Sequence, residues 1–305
     1  MAVEYFERQA SDQHLEKVNR LTGRSWVYIN GPGVDFAEVA AEFGLDQNII
    51  SDVGDDRELP RREFKDGQEY IFMRPPVGES DSPRTVPLLS IVGPKHLITI
   101  DPKSKFSPLE TDNFMINQTP TSLLTANLAA IVSSYDGQIY SLTEKISSAR
   151  KRLSRHEVKN ADFVRFVAIE DALGEYQTNL ECMLSVINQL IDNRHKLFKP
   201  RDIEALEDIV QHLGQLIVSI KSSLRTINSI QSAYSTIANN TLNHRMKILT
   251  SITILLAIPN VFYGMYGMNI ALPIQSEWWA YPAIVGFTLV LILLVYTIAR
   301  RFRLF

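Results

Sequence analysis

Charged side chains are frequent up to Lys247 and then nearly absent until Arg300, so a polar body precedes an apolar tail. Residues Ile248 to Met268 read ILTSITILLAIPNVFYGMYGM without one charge, and Trp279 to Ala299 read WAYPAIVGFTLVLILLVYTIA. Each run holds about 20 residues, which at about 1.5 Å per residue matches a hydrocarbon core about 30 Å thick. Two transmembrane helices are predicted, with Trp278, Trp279 and Tyr281 as an interfacial aromatic belt at the start of the second. The competing reading is a pair of core helices in a soluble protein. It fits poorly, because soluble helices seldom stay uncharged over two successive bilayer lengths.

Upstream, β-rich runs occur at Trp26 to Asn30, Glu69 to Arg74 and Pro87 to Ile100, the last with a Gly93-Pro94 turn, and Asp35 to Phe43 carries a helical pattern. Residues 1–120 therefore read as an α/β domain. After Pro120 the pattern is helical almost without interruption, broken near Arg155 to Asn160 and at Pro200, which predicts helices over 121–155, 160–198 and 201–267. The last would be about 100 Å long. It has to leave the body and continue as the first span. The chain divides into an α/β domain (1–120), a helical stalk (121–247), a first span (248–268), an outer loop (269–278), a second span (279–299) and a basic tail (300–305), an α+β membrane protein.

The long helix carries two stripes. Leu206, Ile209, Leu213, Leu216, Ile220, Leu224 and Ile227 recur every three or four residues and predict packing against the preceding helices. A second series with the same spacing runs Ser229, Ser232, Thr236, Asn239, Asn243, Met246, Thr250, Thr253, Ala257, Asn260, Gly264 and Gly267. Nearly all are small or polar, and none is charged. Such residues glue membrane helices together, which alone accounts for Gly264 and Gly267. An amide at the depth of Asn260 is costly unless it faces protein or water. With Thr253 and Asn243 in the same seam, a water-lined pore is favoured, and one helix cannot enclose a pore. A ring of identical subunits follows. In a membrane-tethered coiled-coil scaffold that passes no ion, the seam would be glue.

Charge orients the spans. Arg245 and Lys247 precede the first, Arg300, Arg301 and Arg303 follow the second, and the intervening loop holds Glu277 and no Lys or Arg. The positive-inside rule puts both termini in the cytoplasm of a cell membrane, with only the loop outside. The N-terminal MAVEYFERQASDQ lacks an apolar core, so no secretory signal is expected. With 31 basic and 34 acidic residues there is no basic stripe, which argues against a nucleic-acid partner. The single cysteine, Cys182, suits a reducing compartment and reads as a buried structural thiol. The acid-rich Ser51 to Asp56 reads as a solvated turn before a cation site. No phosphate-binding G-x-x-x-x-G-K-[ST] loop, H-E-x-x-H or Cys-pair zinc framework is present, so an enzyme is not predicted.

At the end of the first span stands Tyr266-Gly267-Met268-Asn269, and the second opens Trp279-Ala280-Tyr281-Pro282. Upstream, Asn243, Met246-Lys247 and Leu249-Thr250 match N-x-x-M-K-x-L-T. These motifs, over residues 200–305, resemble the CorA family of magnesium transporters. The resemblance implies a homopentamer in the lipid bilayer, an α/β/α cytoplasmic funnel and passive uptake of divalent cations, with Mg2+ as both the transported and the regulatory ion. It implies that Gly267, Met268 and Asn269, beside Tyr266, form the outer mouth, and that Asn260, Leu249, Met246 and Asn243 line the path. Thr250, Thr253 and Gly264 join them from the seam. Asp208 and His212 match a D-x-x-x-H arrangement that holds a regulatory metal between subunits in some relatives. Asn260 departs from the smaller hydroxyl residue that many relatives carry. Glu277 would concentrate cations outside, and Met246 and Leu249 are expected to form a hydrophobic gate. A Zn2+ or Co2+ transporter of the same superfamily remains an alternative. The seam offers no Cys or His to select a softer ion.

Overall fold

The computed structural model describes residues 2–7, 16–18, 26–78, 84–103, 119–154, 160–268 and 277–301. The chain forms two compact units, Met1–Ser229 and Ile230–Phe305.

The first unit opens with β1 (Ala2–Glu7), β2 (Glu16–Val18), β3 (Trp26–Asn30), α1 (Phe36–Phe43), α2 (Gln47–Ser51) and a 3-10 turn at Asp52–Gly54. It continues through β4 (Arg61–Lys65), β5 (Gln68–Met73), the two-residue strands β6 (Pro76–Val77) and β7 (Arg84–Thr85), β8 (Leu88–Val92) and β9 (Leu97–Asp101). α3 (Pro120–Ser154), α4 (Asn160–Ile191) and the first part of α5 (Pro200–Tyr266) complete it. The seven-stranded sheet has the order β2-β1-β3-β9-β8-β5-β4. Among the described strands only β3 and β9 pair in parallel.

Strand alternation places helices on both faces of this sheet. Val27 and Ile29 of β3, Ile98 and Ile100 of β9, Leu89 and Ile91 of β8, and Tyr70 and Phe72 of β5 point to one side, where they pack with Val39, Ile49 and Ile50 of α1 and α2. On the other side the sheet meets α3 and α4. There Trp26 Nε1 donates to Thr99 Oγ1 (3.0 Å) and Tyr28 Oη to Asp101 Oδ2 (2.8 Å). The Tyr135 hydroxyl of α3 donates to the carbonyl of Arg74 (2.5 Å), and burial pushes this phenol's pKa up, so it stays a donor. The buried Arg74 guanidinium spends its protons on the carbonyls of Asp56, Glu58 and Thr85 and on Thr85 Oγ1. This is an α/β/α arrangement, with the three predicted β-rich runs in its sheet.

Local chemistry sets the connections. Asp66 and Gly67 both take positive φ (52° and 81°), the two-residue turn that closes β4 onto β5. Asp35 and Asp46 cap α1 and α2 by accepting from the amides two and three residues on. The acid-rich turn is engaged in ion pairs, Asp52 with Arg61 (2.7 Å) and Asp56 with Lys103 (2.9 Å). Cys182 is half-buried, short of the full burial expected, and desolvation still raises its thiol pKa, which suits an inert role.

The long helices follow the predicted order, with one correction. α4 ends at Ile191, not 198. Asn193 and Lys196 adopt left-handed φ, and the Asn193 side chain bonds both the amide (3.1 Å) and the carbonyl (2.8 Å) of Phe198, which closes a loop that a helix cannot follow. Pro200 then begins α5, and Asp202 accepts from the Lys199 amide (3.1 Å) as the returning half of an N-terminal cap. α3 and α5 run in the same direction, because Thr121 meets Asp202, Asp136 meets His212 and Thr143 meets Ser223. The predicted apolar stripe of α5 is buried from Leu206 to Ile227, except Leu224, which is half-buried.

The second unit holds the remainder of α5 and α6 (Ala280–Arg301). Of their most apolar stretches, 0% of that in α5 and 6% of that in α6 is buried. Core helices of a soluble protein would be covered. These present Leu256, Val261, Leu289, Val290 and Leu293 outward.

Candidate cation pathway

α6 packs on one side of α5. Phe262 meets the Phe287 ring edge to face at 5.3 Å, and the Tyr263 hydroxyl lies 3.4 Å from Thr288 Oγ1. Thr288 is buried (1% exposed) and returns its proton to the Val285 carbonyl at 2.9 Å. The half-buried positions of α5 here include Ser251, Leu255, Ile258, Phe262 and Tyr266, a stripe stepping by three and four. At about 100° per residue these lie within about 60° of one direction. The seam from Asn239 to Gly267 lies within about 60° of the opposite direction. All twelve seam residues, from Ser229 to Gly267, are exposed. α6 therefore braces α5 from behind and leaves the polar seam uncovered.

The seam's groups are suited to water. Thr253 donates its hydroxyl proton to the Leu249 carbonyl (2.9 Å), and Thr236 does the same to Ser232 (3.0 Å), so each oxygen turns accepting lone pairs outward. Asn243, Thr250 and Asn260 are exposed alongside. Gly264 has nothing within 4 Å of where a Cβ would stand, so it leaves width at that level. Pro259 is the one proline inside α5, on the flank between seam and braced stripe.

Met246 and Leu249, 53% and 58% exposed, sit one turn apart between Asn243 and Thr250. At the far end α5 stops at Tyr266. The Gly267 amide returns to the Tyr263 carbonyl (3.0 Å) and the Met268 amide to Met265 (3.2 Å). A Cβ on Gly267 would stand 3.3 Å from the Tyr263 carbonyl oxygen, so the close turn favours glycine. Met268 is exposed, whereas Tyr266 is half-buried on the stripe that faces α6. Asn269 lies outside the described residues. Glu277 is exposed, and its carbonyl accepts from Ala280 (3.1 Å) at the start of α6.

The other predicted pair is placed differently. His212 Nε2 lies 2.9 Å from Asp136 Oδ2 of α3, while Asp208 is exposed. Among the described residues no three His, Cys, Asp or Glu side chains come close enough to hold a metal, so Asp208 does not complete a site with that pair in one chain. Reading the sequence passed over Phe262, Phe287 and Thr288. Thr288, in the apolar run Val285-Gly286-Phe287-Thr288-Leu289-Val290, was the available signal.

Residues 23–301 match the family model described as CorA-like Mg2+ transporter protein. The chain belongs to the CorA-like Mg2+ transporter family. It is a membrane transporter for divalent cations and not an enzyme. A curated CorA-family relative, the cobalt/magnesium transport protein CorA of Methanocaldococcus jannaschii, is 22% identical over 81% of this chain and 80% of its own length. The complete structure of the CorA magnesium transporter from that organism superposes with a TM-score of 0.87 at 19% identity, covering 99% of this chain and 98% of the other. The fold is shared with the full-length CmaX protein (TM-score 0.76, 14% identity, 98% and 97% covered). It is shared too with the cytoplasmic domain of ZntB from Vibrio parahaemolyticus (TM-score 0.63, 11% identity, 78% and 98% covered).

Proposed function

We propose that several copies of this chain, five on the family pattern, assemble in the cell membrane with the α5 seams turned inward around a pore. The pore conducts hydrated Mg2+ into the cytoplasm. The observation that carries this reading is the uncovered seam, exposed at all twelve positions, with α6 packed on the opposite face at Phe262. Facing lipid it would set Asn260 against hydrocarbon, whereas facing other copies it encloses acceptors for water.

Mg2+ sheds its first-shell waters reluctantly, so a conducting site works better from outside that shell. Carboxamide oxygens of Asn260, Asn243 and Asn269, with the Thr253 hydroxyl, accept from bound water without the tight hold of a carboxylate ring. The ion can then leave. An inside-negative potential supplies about 4.6 kcal/mol per 100 mV for a divalent ion. The basic residues beside the inner ends of both spans, and the resemblance of the body to a cytoplasmic domain, support cytoplasmic termini. Rings of Met246 and Leu249 close the inner path by dewetting and open it when internal Mg2+ falls. A regulatory cation near Asp208 requires ligands from a neighbouring copy.

A second reading, transport of Co2+ or Zn2+, is favoured by the cobalt/magnesium relative and the ZntB fold match. Against Zn2+, no Cys or His stands in the seam. The test is Mg2+ uptake into dye-loaded proteoliposomes under an inside-negative potential, parent against Asn269→Ala. Potential-driven uptake that the substitution abolishes supports the reading. Uptake of Zn2+ or Co2+ but not Mg2+ moves it to the second.

A further inference from the structure

Tyr263 holds two things at once. Its backbone carbonyl accepts from the Gly267 amide (3.0 Å), and it is the atom that a Cβ on Gly267 would meet at 3.3 Å, so it shapes the turn that ends α5. Its hydroxyl, at the other end of the residue, lies 3.4 Å from Thr288 Oγ1 of α6. Thr288 spends its own proton on the Val285 carbonyl (2.9 Å), so in this pair it accepts and Tyr263 donates. The threonine is 1% exposed, on a helix whose most apolar stretch is only 6% buried. If filling space were its whole task, a valine would serve.

The neighbouring contact shows what the hydroxyl adds. Phe262 and Phe287 hold the two helices together through their rings, 5.3 Å between centroids. One ring pair fixes a distance but lets α5 roll. Tyr263 stands about 100° further round α5, so its contact with the next residue of α6 resists that roll. A roll of about 20° moves a Cα on a helix of radius about 2.3 Å by about 0.8 Å, and side-chain tips by more. Hydrogen-bond distances span a window of about 0.5 Å, so a shift of this size takes groups at the end of α5 out of register with the waters around an ion.

We propose that Thr288 is a positioning residue for the outer mouth. Through Tyr263 it sets the rotation of the last turn of α5, and with it the direction in which Gly267 and Met268 face. The inference rests on the reading of Gly267 and Met268 as part of that mouth. A hydroxyl pair is strongest at about 2.7–2.8 Å, so the longer contact here tunes the turn and leaves adhesion to the rings. Its loss should cost about threefold, the average weight of an interhelical hydrogen bond in a membrane protein.

The test uses the full chain in dye-loaded proteoliposomes under an inside-negative potential, with Mg2+ as the probe. Thr288→Val and Tyr263→Phe should each raise the half-saturating Mg2+ concentration about threefold, with the maximal rate per assembled oligomer unchanged. The double variant should add nothing to either single one, and Thr288→Ser should keep the parent's value. A merely structural threonine would instead lower the yield of oligomer and leave half-saturation alone. A second measurement does not depend on transport. A nitroxide on Met268→Cys, in a chain with Cys182→Ser, should give a restricted spectrum that Thr288→Val frees and Thr288→Ser does not. Unchanged half-saturation overturns the proposal, as do additive effects in the double variant, which would make the two side chains independent. If Asn269→Ala abolishes uptake while Thr288→Val changes nothing, the mouth reading stands and this inference fails. If Thr288→Val frees the label while Asn269→Ala leaves uptake unchanged, the mouth reading fails and takes the inference with it.

Discussion

Asn260→Leu separates a pore from a packing seam. The side chain is exposed and points about 160° away from Phe262, which is braced by Phe287. The substitution therefore leaves the α5–α6 contact intact. If the seam lines a pore, each copy loses one carboxamide that hydrogen-bonds the waters around the ion. Hydrogen bonds involving a charged partner are worth about 1.5–3 kcal/mol each. Losing two at the crossing point raises the barrier by about 3 kcal/mol, which slows flux about a hundredfold. The assay is initial Mg2+ uptake into proteoliposomes at fixed potential, normalised to assembled oligomer counted by native mass spectrometry. If the seam is helix glue in a non-conducting scaffold, leucine is tolerated or stabilising. Unchanged stoichiometry with flux within about twofold of the parent would refute the pore argument, since barrier changes that small lie below one hydrogen bond.

Met246→Ala and Leu249→Ala should each raise conductance at high internal Mg2+ by removing the apolar constriction, and patch recordings that show parental closure would place the gate elsewhere. Tyr135→Phe strands the Arg74 carbonyl in a buried site and should cost about 1–3 kcal/mol, read as a lower Tm of the cytoplasmic body with uptake by the remaining folded protein unchanged. Burial, and secondarily Lys95, holds the His96 imidazole below its ordinary pKa, and its Nδ1 has no hydrogen-bond partner among the described residues. The folded body binds this proton less readily than the unfolded chain, so the His96 contribution is complete above about pH 6.5 and declines as pH falls below it. His96→Gln should flatten that part of the stability profile, and an unchanged slope would assign it to another group.

The two spans, the order of the long helices and the stripes of α5 were legible in residue order, because helical periodicity and bilayer length are properties of a local run. The end of α4 was not. Residues 192–198 contain no proline or glycine, and the helix is broken there by the Asn193 side chain satisfying the backbone of Phe198. Asp208 and His212 also show the limit: four residues apart they share a face, yet His212 is committed to Asp136, 76 positions earlier in the chain. The Tyr266-to-Asn269 motif reads as one unit in sequence, but Tyr266 turns to the covered side of α5 while Gly267 and Met268 are exposed.

By itself, then, the sequence determined what each stretch is: spans, stalk, sheet-forming runs, and a seam of uncharged polar residues continuous from stalk to membrane. Only the tertiary structure decided which face of α5 is free. That choice follows from where Phe262, Tyr263, Phe287 and Thr288 meet. Periodicity sets the angles between stripes on a helix, and a second helix has to pack before one stripe becomes the back and the other the front.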